Sequence, residues 1–236
     1  MSDVDLAARR WTGALLTLGG LLPLVAVLNP RTWPVWGADE AESWRLITER
    51  HASMTAATWL IWAGVALSIA GVALLARMLG SALAIAALAV FATGASLALV
   101  SLTFEATVNL SLTAKHRPQP DWYPVVDLWI NGLFTAHSAL LAPLALVVLG
   151  TGIVRTRLAA RWTGWFAIAM AILLWGQFAA FQGALPAPLF LALTAIGLSL
   201  FLAARRPATA AEAVGPAKRC MRCFGAISET APGSRS

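Results

Sequence analysis

The stretch "SALAIAALAVFATGASLALVSLTF", residues 81–104, runs for 24 residues without a charged side chain. As an α-helix it is about 36 Å long at roughly 1.5 Å per residue, enough to cross a hydrocarbon core of about 30 Å. In hydrocarbon every backbone N–H and C=O must be satisfied within the segment, so such a run folds as a helix. The pattern recurs along the chain. Spans are expected near 11–28, 53–76, 81–105, 124–150, 162–180 and 186–203, and the third can continue as helix toward Leu112. The expected fold is therefore an all-α, six-span membrane bundle over residues 1–205. Composition agrees, with only 12% charged residues against about 25% in an ordinary soluble domain.

Arg9 and Arg10 precede the first span, as basic residues precede a secretory signal. The apolar run that follows is about 18 residues, longer than the roughly 7–15 of a signal core. It ends in "VAVLNP" without a small-residue cleavage pattern, so a retained anchor is expected.

Lys and Arg set topology. With both termini in the cytoplasm, twelve of the seventeen basic residues fall on the inner side and five on the outer: Arg31, Arg45, Arg50, Lys115 and Arg117. An even number of spans agrees with that arrangement. The expected location is the cell inner (plasma) membrane, with multiple passes. The formal charge of +6 does not point to nucleic acid, because the basic residues sit at segment ends and not on one face. Residues 206–236 are small, Pro-containing and aperiodic, and read as a disordered cytoplasmic tail. Cys220 and Cys223 lie in that tail as a CxxC without the second pair that a zinc ribbon needs.

Polar side chains within spans are costly and draw functional interest. On a helical wheel Gly94, Ser101, Glu105 and Asn109 share one stripe of span 3, and Asp127, Asn131, Thr135 and Ser138 share one of span 4. His137 lies deepest, off the Asp127 stripe by about 80° at roughly 100° per residue. His51 opens span 2 on a face with Thr55, Thr58 and Trp62, and Gln177 closes span 5. The inner half of the bundle is almost purely Ala, Leu, Ile and Val. The expectation is an outward-facing polar pocket walled by Glu105, with His51, Asn109, Asp127, Asn131, His137 and Gln177 as substrate-binding neighbours. "ADEAESWRLITERHA" reads as an amphipathic helix able to act as its lid.

Simple structural roles account for several of these groups. A helix dipole favours Asp127 in a first turn, a neutral His137 can be interhelical glue, and an aromatic belt explains Trp33, Trp36, Trp44, Trp122 and Tyr123. Haem is not expected, since His51 and His137 differ in depth and haem needs matched axial ligands. No paired motif marks a metal site, and no nucleotide-binding glycine pattern or GxSxG is present. The spans carry no Lys for a Schiff base. No cofactor is expected.

Four stretches together carry a resemblance: "RWTGALLTLGGLLPL", "ITERHASMTAATWL", "WINGLFTAHSALLAPLALVVLG" and "RLAARWTGWFAIA". In layout over most of residues 10–200 the chain resembles a family of uncharacterised bacterial six-helix integral membrane proteins. The resemblance implies the fold and no catalytic residue.

The expected function is binding of a small or lipid-like, for instance prenyl-like, molecule. Whether the chain also transforms it stays open. In an enzyme of cyclase or isomerase type, Glu105 or Asp127 is the general acid or base. Transport is an alternative, with Pro23 and Pro143 interrupting spans 1 and 4. A third is an accessory subunit, either in a homo-oligomer or in a larger membrane complex, docked through small residues such as Gly64, Ser68 and Gly71.

Overall fold

The computed structural model describes residues 3–38, 40–115, 118–181 and 185–205. The expected disordered tail with Cys220 and Cys223 lies outside the described residues. Among those residues the chain is helical and has no strand. The helices are α1 (Asp3–Val27), α2 (Glu40–Glu49), α3 (His51–Leu79), α4 (Ala82–Thr113), α5 (Tyr123–Thr156), α6 (Arg161–Phe181) and α7 (Ala187–Ala203). Five of them, α1 and α3 to α6, are long and apolar enough to cross a membrane, and α7 is a shorter apolar helix. A helix stands at each of the six expected positions, and the one expected at 186–203 is the shorter α7. α1 starts well before residue 11, α4 runs on to Thr113, and α5 continues past residue 150.

Local chemistry sets the turns. Gly80 ends α3 in the left-handed region, φ 61°, and its N–H closes onto the carbonyl of Ala76. The next residue, Ser81, caps α4 by accepting the Ala84 N–H at 3.2 Å. A left-handed glycine followed by an N-cap serine makes one of the shortest helix-to-helix connections available. α5 ends the same way at Arg157, with φ 54° and its N–H on Ile153. There a side chain occupies a conformation that glycine holds at no steric cost.

The six apolar helices form a ring in chain order: α1 packs on α3, α3 on α4, α4 on α5, α5 on α6, and α6 on α7. The ring closes with α7 against α1. α5 turns Ala142, Ala145, Leu146, Leu149 and Ile153 inward, all of them buried. Outward faces carry exposed Leu, Ile and Trp, among them Ile85, Leu128, Ile172 and Leu198. Exposed tryptophans gather toward both ends, with Trp11, Trp162 and Trp165 at the Arg-rich end and Trp33, Trp59, Trp122 and Trp129 at the other. That distribution fits a bilayer with two aqueous interfaces.

Lipid is as apolar as leucine, so helices in it associate through close approach and not through a hydrophobic drive. α1 is built for that on two faces. Toward α3, a Cβ on Gly19 would meet the Ser68 Oγ at 2.6 Å, one on Gly64 the Pro23 ring at 2.3 Å, and one on Gly71 the Leu16 side chain at 2.8 Å. The small-residue face at Gly64, Ser68 and Gly71 is therefore filled by α1 of the same chain, which withdraws it from any outside partner. Toward α7, Gly13 faces Phe201, Gly20 faces Phe190 and Thr194, and Gly197 faces Thr17. α5 and α6 meet through Gly150 and Gly164.

Two helices contain a wide π turn. In α4 it spans Glu105–Asn109, with the Leu110 N–H on the Glu105 carbonyl. In α5 it spans Ala136–Leu141, with the Ala142 N–H on the His137 carbonyl. Pro143 explains the second. It has no N–H to give and its ring crowds the carbonyl four residues back, so the preceding turn opens. We have no physical account of the first.

Candidate functional site

α2 lies against the end of α4, away from the Arg-rich end. Thr32 anchors the connection, its hydroxyl donating to the Ala26 carbonyl at 3.0 Å, and Arg50 donates to the Arg31 carbonyl at 2.8 Å. Ile47 packs with Met54 of α3 and Leu110 of α4. Trp44 meets Tyr123 at the start of α5 edge to face, with centroids 4.7 Å apart. The amphipathic helix expected from the sequence thus exists and touches the ends of three spans. On its exposed side Arg45 grips Glu42 through two nitrogens at 2.8 and 2.5 Å and reaches Glu49 at 2.5 Å. Its guanidinium holds the Glu42 carboxyl below the ordinary 4.5.

The carboxylates expected to matter lie on facing parts of α4 and α5. Asn109 donates its amide nitrogen to Glu105 Oε2 at 2.6 Å. Tyr123 donates its phenol to Asp127 Oδ1 at 3.0 Å and Asn131 its amide to Asp127 Oδ2 at 2.8 Å. Such a bond is roughly twice as strong as a neutral one while its acceptor is ionised. Glu105 and Asp127 are half-buried and within electrostatic reach of each other. Asn109 is buried and Asn131 exposed. The Asn109 oxygen is buried with no hydrogen-bond donor.

The other expected residues divide by depth. His51 lies near the end of α4, its Nδ1 3.4 Å from the Thr113 hydroxyl, which itself donates to the Asn109 carbonyl at 3.1 Å. His137 lies far below. It is buried inside the π turn of α5, between Phe91 and Phe134. A Cβ on Gly94 would come within 2.9 Å of its Nδ1. Gly94 and Glu105 are eleven residues apart, about 16 Å of helix at roughly 1.5 Å each. His137 is thus a separate, deeper feature. Gln177 matches its depth: each lies thirteen residues from the Gly150–Gly164 contact, along α5 and α6. His137 Nδ1 and Gln177 Oε1 are both buried without a hydrogen-bond partner.

Tyr123 and Trp44, expected in an aromatic belt and, for Trp44, on the lid helix, join the carboxylates here. Tyr123 binds Asp127, and Trp44 sits on Tyr123. The signal was the spacing Tyr123–Asp127–Asn131, four and four, which places all three on one helix face. A groove of about 570 Å³ lies at the opposite, Arg-rich end, lined by Leu6, Ala7, Arg10, Trp11, Ala14 and Phe201. None of the expected site residues lines it. Among the described residues no group of three or more His, Cys, Asp and Glu gathers as metal ligands. Comparison with family models, with curated proteins and with solved structures finds no match.

Proposed function

We propose that this chain is a six-span protein of a bacterial inner membrane with both termini in the cytoplasm, and that it binds a small or lipid-like molecule where α4 meets α5 at the outer surface. The topology is supported by the ring of six apolar helices and by the twelve-to-five division of Lys and Arg. The site is supported by one observation above all. Two half-buried carboxylates, Glu105 and Asp127, face each other from neighbouring helices, each held by an amide of its own helix. Ionisable groups in spans are costly and for that reason mark candidate functional sites, and hydrogen-bonded support of this kind is what orients a functional carboxylate. α2 covers this end as a lid. In an enzymatic version Glu105 or Asp127 exchanges the proton with the bound molecule.

Native mass spectrometry of the protein in mild detergent tests this, with wild type beside Glu105→Gln. The expected result is a co-purifying small molecule in wild type that is lost from the variant. Bare protein in both samples refutes the binding function and leaves an accessory subunit, whose mark is a partner at fixed stoichiometry. Transport is the second reading. It draws on the two π turns and on His137 Nδ1 and Gln177 Oε1, two buried atoms without a hydrogen-bond partner, and it requires uptake into proteoliposomes that follows a proton gradient.

A further inference from the structure

We propose that the groove at the Arg-rich end seats one anionic phospholipid, with its phosphate on Arg10 and an acyl chain laid along α1. This place is separate from the α4–α5 contact and does not rest on it. It begins with a concavity of about 570 Å³ walled by Leu6, Ala7, Arg10, Trp11 and Ala14 of α1 and by Phe201 of α7. The packing beside it sets its shape. Gly13 brings α1 so close to α7 that a Cβ there would stand 2.7 Å from the Phe201 backbone nitrogen. The small side chains of Ala7 and Ala14 line the hollow next to that contact.

Arg10 is the one charged residue of the lining. It is exposed and, among the described residues, has no hydrogen-bond or ion-pair partner. A guanidinium matches a phosphate through two parallel N–H bonds, and its methylene stem can lie on an apolar wall while the head reaches the headgroups. Trp11 beside it is exposed, and tryptophan settles at that same level. The apolar part of the lining continues along α1. At roughly 100° per residue, Arg10, Trp11, Ala14, Leu18, Leu21 and Val25 fall on one face of the helix, and Leu18, Leu21 and Val25 are all exposed. α1 therefore offers a cation and, below it, about 22 Å of apolar track at 1.5 Å per residue. That is the layout of a phospholipid, a phosphate joined to a long chain. A free phosphate would use the cation and leave the track idle. A zwitterionic lipid brings a cation of its own, so Arg10 gains less from it, and basic hollows between spans favour anionic headgroups.

The test is native mass spectrometry of the full chain in mild detergent, with phosphatidylglycerol and phosphatidylcholine of identical acyl chains as probes. The expected result is one phosphatidylglycerol held per chain in preference to phosphatidylcholine. Arg10→Gln removes the cation, and Ala14→Trp fills the hollow without touching the charge. Each should lower the bound fraction at least about fivefold. Arg9→Gln removes the same charge about 100° around the helix and should leave the lipid in place, as should Glu105→Gln at the other end. Circular dichroism checks that the variants are folded, and if one of Arg10→Gln and Ala14→Trp is not, the other carries the test. Lipid retained by the folded variants overturns the proposal. An equal fall in Arg9→Gln overturns it as general attraction to the basic end, and loss confined to Glu105→Gln moves the lipid to the α4–α5 contact. Displacement of the lipid by millimolar inorganic phosphate overturns the lipid class in favour of a free anion. Wild type without preference between the two lipids overturns it as well.

Discussion

Adding one methyl group at Gly197 should loosen the closure of the ring. A Cβ there would stand 2.4 Å from the Thr17 backbone nitrogen, 2.6 Å from its hydroxyl and 2.8 Å from the Gly13 carbonyl oxygen. Non-bonded heavy atoms are comfortable near 3.5 Å, so relief requires about 1 Å of separation. Two of the three obstacles are backbone atoms of α1, which cannot swing aside as a side chain can. Overpacking costs about 1–3 kcal/mol, and this site belongs at the upper end. Ala instead of Gly returns about 0.8–1 kcal/mol of helix propensity, which leaves a net loss of about 2 kcal/mol. For a domain of this size that lowers Tm by roughly 4–8 °C. The control is Gly176→Ala on α6, where nothing lies within 4 Å of the added Cβ, and where Tm should hold or rise. Thermal unfolding of both variants in one detergent checks this. A Gly197→Ala protein as stable as wild type would show that α1 and α7 are not in close contact.

Four further outcomes are expected. Arg157→Gly should raise stability by about 0.5–1 kcal/mol in the same melts, because glycine holds the left-handed end of α5 without strain. His137→Leu should match or exceed wild-type stability by about 1 kcal/mol, since it replaces a buried group with an unpartnered nitrogen by an apolar one of similar size; a sharp fall in Tm would reveal a partner for that nitrogen. Tyr123→Phe should weaken retention of the co-purifying molecule in native mass spectra and lower stability by about 1.5–3 kcal/mol, the range for a hydrogen bond to a charged acceptor. The Glu42 carboxyl is held below 4.5 by the Arg45 hydrogen bond, so its support of α2 is full above that pH and is lost as pH falls through the lower folded value. Hydrogen exchange of the α2 amides, corrected for intrinsic rate, should accelerate there in wild type and show no such step in Arg45→Gln.

The sequence made the spans legible because bilayer thickness and backbone hydrogen bonding leave few choices for a run such as 81–104. Their extensions were harder to read. α4 passes Glu105 through a π turn and reaches Thr113, where Leu110 packs against Ile47 of α2. Helical-wheel phase served the hydrogen-bonded pairs well, since Glu105 and Asn109 sit four apart, as do Asp127 and Asn131. It could not foresee that a π turn shifts everything beyond it. Pro143 was the available signal for the turn around His137, and it read only as an interruption of the span. The small residues at Gly64, Ser68 and Gly71 announced a close contact without naming the other side. Which helix fills it depends on Leu16, Gly19 and Pro23, and the sequence alone does not pair distant segments. Gln177 and His137 share a depth for the same reason: their register is set by one glycine contact between α5 and α6.

The closure of α7 on α1 also has a consequence for how such a chain is made. Every other neighbour in the ring follows its partner closely in the sequence, so each new span can dock on the one inserted just before it. α1 alone must keep its second glycine face, Gly13, Thr17 and Gly20, without its mate until α7 has been synthesised. During that interval the face is open to wrong partners, including the α1 of another nascent chain. Synthesis arrested before residue 187 should therefore yield a bundle short of one helix and sticky along one edge, the edge that quality control would have to recognise.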